Sequence, residues 1–515
     1  MIKNVTDVLV VGAGPTGLFL ALLLTKLGVR VRIVDAADAP GTTSRALAVQ
    51  ARTLELYAQV DLADEVVRRG VILKGVNLWR RGEHAARIAL GAVGEGRSRY
   101  PFGVIFPQDE HEKFLVAQLE ALGTRVERGT KVTAIEETPS GIVAREQRAD
   151  GTEASCEASY VAGCDGARSI VRQAIGATFP GGTYEHLFYV ADIEASGKSE
   201  LMNHELHVFL DDAGFFALFP LAGEGRARLV GTVREDAVAG KGTLTWEDVD
   251  RRPIDRLGLK IDRVNWFSTY HVHHRVADRF RRGRTFLLGD AAHIHSPVGG
   301  QGMNTGLGDA MNLGWKLAAA LGGRAKENVL DTYEPERIAF ARKLVATTDR
   351  VFKAASSDSR IAEVVRTQMI PRILPRLSRT KLGQRLLFSA VSQTGIEYRA
   401  GPWSTGRAGA VHGGDRLPWV QPGEAGAVDN FTPLRALDWQ VHVYGAPPED
   451  LRSTCEERKL GVHVFPFDAR TKAADLRDDA VYVVRPDGYI GGVFTGPSAT
   501  AAVTEYLDAH GIRGR

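Results

Sequence analysis

The sequence contains few cysteines. Only Cys156, Cys164 and Cys455 occur among its 515 residues, and no two of them stand in a CxxC spacing. This excludes a disulfide-rich scaffold and a cysteine-based zinc site, because both need several cysteines at short, regular spacings. We therefore predict a protein of a reducing compartment, with the cytoplasm as its location.

Long apolar runs and an excess of one charge are also absent. No uninterrupted apolar stretch approaches the roughly 18 residues that a membrane-spanning helix requires, and Asp7 interrupts the apolar N-terminus. The 65 basic and 62 acidic residues nearly balance, so no broad positive field is available to attract a nucleic-acid backbone. We predict no membrane span and no nucleic-acid partner.

The length and the order of the predicted elements indicate a chain of several domains. One domain typically takes about 150 residues. Buried parallel strands alternate with helices in residues 1–180 and again in 272–400, which predicts one discontinuous α/β domain. Residues 181–271 alternate aromatic and β-branched residues, which predicts an inserted, mostly antiparallel sheet with contributions from about 71–105. Residues 401–515 are predicted to be a glycine- and proline-rich linker followed by a small α/β unit.

A glycine-rich motif links the first predicted strand to the first predicted helix. It reads Gly12-Ala13-Gly14-Pro15-Thr16-Gly17. Glycine lets the main chain turn tightly and approach a pyrophosphate, while the N–H groups at the helix start carry partial positive charge. Asp35, at the end of the next strand, can accept hydrogen bonds from a ribose diol. The motif predicts an adenosine dinucleotide site and leaves open whether the ligand is NAD or FAD.

Two further motifs point to a flavin. One reads Cys164-Asp165-Gly166-Ala167-Arg168-Ser169, and the other reads Gly289-Asp290-Ala291-Ala292-His293, followed by Pro297, Gly299, Gly300, Gln301, Gly302, Met303 and Asn304. Either motif alone is common in ordinary turns. Together, an acid that can bind a sugar hydroxyl and glycines that expose amides at a helix start can hold a planar ring. A helix start also stabilises the negative charge of a reduced flavin.

The histidines are weaker signals. His293 follows the third motif, but a histidine in such a place is more often packed and hydrogen-bonded than catalytic. His271, His273 and His274 suggest a metal site, and the first two share a strand face. No further ligand group is evident beside them, so we predict no metal.

These motifs, in this order and spacing, resemble those of the class A FAD-dependent aromatic hydroxylases, the family of p-hydroxybenzoate hydroxylase, phenol hydroxylase and the polyketide hydroxylases. The resemblance covers the whole chain. It implies a Rossmann-like FAD-binding domain, an inserted substrate-binding sheet and a thioredoxin-like C-terminal α/β domain. It also implies noncovalent FAD, hydride from NADPH or NADH as a transient co-substrate, and reaction with O₂ to a flavin C4a-hydroperoxide. That oxidant would hydroxylate a phenolic or polyketide aromatic substrate.

The resemblance further implies a set of cofactor-binding residues. They are Gly12, Gly14, Pro15, Thr16, Gly17, Asp35, Arg45, Gln108, Asp165, Arg168, Asp290, Pro297, Gly300, Gly302, Met303 and Asn304. Within this set, Arg45 and Gln108 would lie near the phosphates and the ribityl chain. Asp165, with Arg168 beside it, belongs to a motif linked to both FAD and NAD(P)H, and Asp290 corresponds to the ribityl-binding acid. Read alone, an isolated arginine or glutamine would more simply be a surface residue or a helix cap.

On the substrate side, Pro297 corresponds to a proline whose carbonyl lies close to the substrate hydroxyl, which implies a catalytic as well as a substrate contact. Phe216 and Phe219, on a predicted strand of the inserted sheet, are further candidate substrate contacts, although core packing explains many such rings. Gln301 replaces a lysine of the family prototype. No arginine corresponds to a partner for a substrate carboxylate, which favours a phenol or a fused ring over a benzoate.

Several alternatives stay open. On the same scaffold, the chain could be a Baeyer–Villiger type or an antibiotic-inactivating flavin monooxygenase. From a different class, it could be a non-catalytic FAD-binding interaction protein, or a dehydrogenase that uses the first motif for NAD, which leaves Gly299 to Gly302 unexplained. A halogenase is disfavoured because the region around Trp315 lacks the second tryptophan of a WxWxIP motif. The single cysteine of the tail, Cys455, predicts a structural role there, and a homodimer is a candidate assembly.

Overall fold

The computed structural model describes residues 3–41, 46–80, 82–197, 201, 203–211, 214–233, 244–296, 299–356, 369–423 and 428–515. Strands and helices are numbered along the chain. Within those ranges, none of the helices combines the length and the apolar character that crossing a bilayer would take.

The first sheet carries the N-terminal glycine motif. Its strands are β1 (Lys3–Val11), β2 (Val31–Val34), β8 (Val126–Glu127), β9 (Thr130–Thr138), β10 (Gly141–Arg148), β11 (Glu153–Gly163), β17 (Arg281–Arg282) and β18 (Thr285–Leu287). Strands β18, β11, β1, β2 and β8 run parallel in that order. Val8 to Val10 in β1 are fully buried, as expected of a parallel strand covered on both faces.

Helices lie between the strands of this sheet in the chain and also follow its last strand. They are α1 (Pro15–Lys26), α2 (Ala51–Gln59), α3 (Ala63–Arg69), α4 (Gly91–Gly94), α5 (Gln108–Ala121), α6 (Ile170–Ala174), α8 (Gly302–Leu321), α9 (Tyr333–Ser356), α10 (Ile370–Leu377) and α11 (Lys381–Ser392). The apolar spacing of Leu307 to Leu321 predicts a helix over that range, and α8 begins five residues earlier, at Gly302. Its first turn holds glycines with low helix propensity, and contacts from distant parts of the chain hold that turn in place.

The second sheet is formed mainly by segments inserted between strands of the first. Its strands are β5 (Gly75–Arg80), β6 (Glu83–Ala89), β12 (Gly181–Gly197), β13 (Leu206–Asp211), β14 (Gly214–Pro220), β15 (Arg226–Thr232), β16 (Leu259–Val276) and β19 (His293–Ile294). Neighbouring strands are antiparallel, as expected, except the parallel pair β13 and β5. Helix α7 (Arg252–Arg256) covers the outer face. A short third sheet contains β3 (Ala48–Val49), β4 (Val71–Ile72) and β7 (Val104–Ile105).

The C-terminal unit is built on a four-stranded sheet of order β23-β22-β24-β25. Its elements are β20 (Arg407–Ala408), β21 (Val411–His412), β22 (Gln440–Tyr444), α12 (Leu451–Glu456), β23 (Gly461–Phe465), α13 (Ala469–Ala473), β24 (Ala480–Val484), β25 (Ile490–Thr495) and α14 (Ala499–His510). The density of glycine and proline predicts that the linker covers residues 401–426, but the described part of this stretch is not a plain connector. Trp403 and Leu417 are buried there, because its turns fold back onto this sheet.

A buried charge network joins the C-terminal unit to the first sheet's helices. Arg485 donates to Glu336 at 2.7 and 3.0 Å and to Asp487 at 3.1 and 2.8 Å. Lys316 donates to Glu336 at 2.7 Å, and the indole of Trp315 donates to Asp487 at 3.0 Å. Buried charges are tolerated only when they are paired and hydrogen-bonded, so the geometry of this seam is tightly specified.

Candidate cofactor and substrate site

The glycines of the first motif are needed for different structural reasons. Gly12 has a φ of 102°, and a Cβ there would overlap the carbonyl of Cys164. A Cβ at Gly17 would overlap the carbonyl of Gly12. At Gly14, however, a Cβ would meet no atom within 4 Å. Gly12 and Gly17 therefore allow the chain to fold, whereas Gly14 leaves open space where a pyrophosphate can approach the start of α1.

Asp35 lies beside this turn together with an arginine that sequence reasoning missed. The Oδ2 atom of Asp35 accepts a hydrogen bond from the Ala13 N–H at 2.6 Å, and Oδ1 accepts one from the Ala37 N–H at 2.8 Å. Arg128 Nη1 lies 3.7 Å from Asp35 Oδ2, while Arg128 Nη2 is buried without a hydrogen-bond partner among the described residues. Arg128 follows β8, the parallel neighbour of β2. Its position after a strand of the same sheet could have identified it from the sequence.

Thr16 brings the first and third motifs together. A Cβ at Gly289 would lie 2.8 Å from Thr16 Oγ1, and one at Gly306 would overlap the same atom. The start of α1 therefore packs directly on the glycines that end β18 and line α8. Asp290 is exposed at this junction, at the carboxyl end of the sheet. Open α/β sheets bind their ligands at this edge.

Asp165 supports the turn from behind. Its Oδ2 atom accepts hydrogen bonds from the backbone N–H groups of Ile170 at 2.7 Å and Val171 at 3.2 Å, at the start of α6. Burial raises the pKa of this carboxyl. A Cβ on Gly12 would lie 2.8 Å from the Asp165 Cα, so the second motif backs the first. Arg168 is exposed next to it.

Arg172 is a second residue that sequence reasoning missed. It is buried, and its Nη1 donates to the carbonyl of Ala291 at 3.0 Å while Nη2 donates to that of Ala167 at 2.7 Å. It therefore links the segments that carry Asp165 and Asp290. Its place three residues after Ser169, which caps the same short helix, was the only local signal.

The loop before α8 is tied to a distant part of the chain through Asn304. Its Oδ1 accepts hydrogen bonds from the Gln50 N–H at 2.9 Å and the Thr53 hydroxyl at 2.7 Å. Its Nδ2 donates to the carbonyls of Ala48 and Gly300, both at 2.8 Å. Because donors and acceptors of the buried amide are all used, this side chain holds the loop in one position.

Gln301 holds the other side of the same loop. Its Nε2 donates to the carbonyl of Ala390 in α11 at 2.9 Å, and the Gln393 amide donates to its carbonyl at 3.3 Å. A buried neutral amide therefore stands where the family prototype has a lysine. The loop is positioned here without an added charge.

The start of α8 offers backbone donors to a ligand. The first intrahelical donor is Thr305, whose N–H donates to the Gln301 carbonyl at 2.9 Å. Helix geometry leaves the N–H groups of Gly302, Met303 and Asn304 without an intrahelical acceptor. These groups, with the partial positive charge of the helix start, can hold the electron-rich edge of a planar ring.

A buried hydrogen-bonded triad braces α8 behind this start. His293 Nε2 lies 2.7 Å from Asp309 Oδ2, and Arg337 Nε donates to Asp309 Oδ1 at 2.5 Å. The Gly289 N–H donates to Asp309 Oδ2 at 3.0 Å. Burial alone would raise the pKa of Asp309, but Arg337 and His293 outweigh it and hold that pKa below its ordinary value. His293 is thus a packed, hydrogen-bonded residue.

The second sheet places its two candidate aromatic rings on opposite faces. Phe216 is 5% exposed and stacks on Phe209 with ring centroids 4.0 Å apart, inside the core beneath α7. Side chains alternate along a strand, so Phe219 faces the other way. It packs on an apolar cluster with Leu47, Leu73 and Ala48. Because a Cβ at Gly300 would lie 2.8 Å from Ala48 Cβ, this second face is next to the loop before α8.

The remaining predicted residues are placed as follows. Gln108 Oε1 accepts a hydrogen bond from the Ala46 N–H at 3.2 Å, and its Nε2 donates to Glu112 at 2.8 Å. Arg45 and Pro297 lie outside the described residues. In the part of the chain that the structure describes, no group of three His, Cys, Asp or Glu side chains could hold a metal ion.

The donor set fits FAD. Open space above Gly14, the unpartnered Arg128 Nη2 and the exposed Asp290 suit a pyrophosphate and sugar hydroxyls. The amides at the start of α8 suit a ring that gains negative charge on reduction. One continuous edge of the first sheet carries all of these groups, so the site matches an extended dinucleotide that ends in a ring.

Comparison with known proteins identifies the family. The family model described as FAD binding domain matches residues 5–348. A 6-methylpretetramide 4-monooxygenase of Streptomyces rimosus is 35% identical over 430 residues, which are 81% of this chain and 73% of that protein. A flavin-dependent monooxygenase of Mycobacteroides abscessus is 30% identical over 519 residues, which are 97% of this chain and 99% of that protein.

A solved structure agrees over nearly the full length. The anhydrotetracycline hydroxylase OxyS from Streptomyces rimosus superposes with a TM-score of 0.78 at 28% identity, covering 99% of this chain and 100% of that one. The chain therefore belongs to the FAD binding domain family and is a flavin-dependent monooxygenase of the class A aromatic hydroxylase type.

Proposed function

We propose that this enzyme hydroxylates a phenolic ring of a fused, polyketide-type aromatic substrate with NAD(P)H and O₂. The observation that carries the proposal is the packing of Thr16 between Gly289 and Gly306, because it makes the dinucleotide turn and the ring-binding helix start one continuous site. Relatives named for monooxygenation of tetracycline-type rings support this choice over a non-catalytic FAD-binding protein.

Different residues are proposed to bind successive parts of FAD. When bound, FAD supplies the redox chemistry, accepting electrons from NAD(P)H and passing them to O₂. Gly14 and the start of α1 receive the pyrophosphate, Asp35 the adenosine ribose, and Asp290 the ribityl hydroxyls. Asp165 keeps the turn in shape. Arg128 joins this set as a contact to a phosphate or a ribose. Arg172 joins it as a residue that braces the site.

The other cofactor residues remain assigned as the family resemblance implies. We propose that they bind FAD: Gly12, Pro15, Thr16, Gly17, Arg45, Gln108, Arg168, Pro297, Gly300, Gly302, Met303 and Asn304. Pro297 keeps its proposed catalytic and substrate role through its carbonyl.

The substrate is proposed to lie between the second sheet and the loop before α8. Phe219 on the second sheet packs with Leu47 and Leu73, and together they offer an apolar surface next to Gly300. Phe216 acts through packing of the sheet. An apolar wall without an assigned carboxylate partner favours a fused-ring phenol over a small aromatic acid.

The domain assignment is part of this proposal. We propose an FAD-binding domain of residues 1–180 and 272–400, an inserted substrate domain of 181–271 with a part of 71–105, and a thioredoxin-like C-terminal domain within 401–515. The βαβαββα order of the tail and its four-stranded sheet support the last assignment. The single tail cysteine supports a structural role for it.

Assembly and compartment are proposed on separate observations. Ile373, Leu382 and Leu386 expose apolar side chains on α10 and α11, which supports a homodimer through these helices. Three free cysteines support a reducing compartment such as the cytoplasm.

A substrate panel tests the activity. Purified enzyme reconstituted with FAD is incubated with NADPH or NADH and a series of phenols, hydroxynaphthalenes and hydroxylated anthraquinones. We expect O₂ uptake coupled to a product heavier by one oxygen atom, greatest for a fused ring. NAD(P)H oxidation that no compound stimulates, with no oxygenated product, would contradict the proposal.

Substitutions at Gly14 and Asp290 test the cofactor placement. Gly14→Val fills the open space above the turn without meeting protein atoms, so we expect a normally folded protein that binds FAD at least about 100-fold more weakly. The FAD affinity of Gly14→Ala should lie between those of the wild type and Gly14→Val. Asp290→Ala should lower FAD occupancy. Circular dichroism checks the fold, and flavin fluorescence titration measures affinity. Normal flavin binding by Gly14→Val would overturn the placement.

A further inference from the structure

Two adjacent polar groups near the start of α8 have no partner. His295 Nε2 and Ser296 Oγ are buried and make no hydrogen bond with the described residues. Buried polar atoms are nearly always paired in folded proteins, since an unmade hydrogen bond costs free energy. Two unpaired buried polar atoms in consecutive residues therefore point to a ligand that supplies the missing hydrogen bonds.

The ring of His295 is fixed in one tautomer. Its Nδ1 lies 2.9 Å from the carbonyl oxygen of Ser296. A carbonyl oxygen can only accept, so Nδ1 carries the proton and Nε2 of the neutral ring presents a lone pair. The unpartnered Nε2 is thus an acceptor.

This acceptor lies at the ring-binding end of the site. A Cβ at Gly302 would lie 3.8 Å from both Nε2 and Cε1 of His295. The imidazole edge therefore faces the first residue of α8, where the free backbone donors are. His293, two residues earlier, differs because Asp309 already occupies its Nε2 at 2.7 Å.

The surroundings keep His295 neutral. Burial lowers the pKa of His295 to about 4. The partial positive charge of the α8 start acts in the same direction, since it disfavours a second positive charge nearby. At neutral pH the ring accepts a hydrogen bond without carrying charge.

We propose that His295 Nε2 is a further binding group of the reactive centre, accepting a hydrogen bond from an N–H or O–H group of the molecule held at the start of α8, with Ser296 Oγ as a second contact. The inference rests on the proposed function, because the donor belongs either to the flavin and its ribityl chain or to a hydroxyl of the aromatic substrate.

Affinity measurements separate these two sources. His295→Leu removes the acceptor, whereas His295→Gln restores a polar group near the position of Nε2. His442→Leu is the matched control, because His442 is also buried with an unpartnered ring nitrogen but belongs to the C-terminal sheet. The probes are FAD added to apoprotein, and 2,6-dihydroxyanthraquinone or its dimethyl ether added to the FAD-loaded protein.

A flavin donor and a substrate donor predict different results. If the donor is the flavin, FAD binding weakens about tenfold in His295→Leu, recovers in His295→Gln and is unchanged in His442→Leu. If the donor is the substrate, FAD binding is unchanged, and the about tenfold preference for the dihydroxy compound over its ether is lost in His295→Leu. Unchanged affinity for FAD and for the hydroxylated probe in His295→Leu overturns the inference.

A measurement on the unmodified enzyme covers the case in which His295→Leu fails to fold. The ¹⁵N resonance of His295 Nε2, assigned by its absence in His295→Gln, should shift upfield when FAD or the dihydroxy probe is added. A resonance that neither addition moves overturns the inference. Failure of the proposed function would differ, since wild-type protein would then bind FAD without hydroxylating any compound of the panel.

Discussion

The two glycine-rich turns of the cofactor site are held in different ways. The first, Gly12 to Gly17, is shaped by its own glycines and by Asp35 within one strand–helix–strand unit, and Gly12 also packs on Cys164 and Asp165. The second, Gly299 to Gly302, is held by side chains about 250 residues earlier and about 90 residues later, including Gln50 and Gln393. Neighbouring residues therefore set most of the shape of the first turn, whereas the second turn depends on side chains from distant parts of the chain.

The largest expected effect breaks the local turn. Gly17→Val places a branched side chain against the Gly12 carbonyl, where even a Cβ would overlap the backbone. We expect no soluble folded protein, because neither backbone segment can move aside without breaking the turn between β1 and α1. Expression, gel filtration and circular dichroism check this. Gly14→Ala is the control and should fold normally; a stable Gly17→Val protein would refute the local account.

The next effect tests the brace of the second turn. Asp309→Asn leaves the buried Arg337 without its charged partner, so we expect a loss of about 3–5 kcal/mol of stability. Asp331→Asn, which removes an exposed partner of Arg281, should cost at most about 1 kcal/mol. Thermal and urea unfolding of the apoproteins measure both. Equal effects of the two substitutions would mean that burial of the brace contributes nothing.

A smaller effect is expected at the tether of the second turn. Asn304→Ala removes four hydrogen bonds and leaves the buried Gln50 N–H and Thr53 hydroxyl unpaired, so we expect a loss of about 2–3 kcal/mol. Asn265→Ala, at an exposed contact with Glu194, should change stability by less than about 0.5 kcal/mol. Urea unfolding measures the stabilities. If Asn304→Ala resembled Asn265→Ala, the second turn would not depend on its distant contacts.

The last comparison concerns the effect of acid on a buried carboxylate. Burial alone would raise the pKa of Glu336, but Arg485 and Lys316 outweigh it and hold that pKa at about 2, below its ordinary value of 4.5. Stability from this group is fully present above about pH 4.5 and is lost as the pH falls toward 2.

Unfolding midpoints measured from pH 6 to pH 2 check this dependence. The wild-type midpoint should fall across that range, and Glu336→Gln should be less stable at pH 6 with a flatter acid dependence. Glu65→Gln is the control, because Glu65 pairs with Arg68 on the surface. An acid dependence unchanged by Glu336→Gln would exclude this group as its source.

Local patterns carried most of the fold prediction. The strand–glycine–helix order and the alternating aromatic run predicted the parallel sheet and the antiparallel one, since both depend on hydrophobic periodicity within about ten residues. The predicted linker from Gly401 was misjudged in its described part, because glycine and proline are equally typical of tight turns that pack on a sheet. The late start assigned to α8 has a similar origin, since its first turn depends on Asn304 and its distant partners.

The sequence by itself determined the α/β class, the dinucleotide turn and the acids at the strand ends, because these depend on neighbouring residues and on which atoms a residue type carries. Only the tertiary structure decided that Arg128 stands beside Asp35, that Phe219 and not Phe216 faces the loop, and that His295 has an unpaired nitrogen. Burial and partnership arise between residues far apart in the chain, and no local pattern records them.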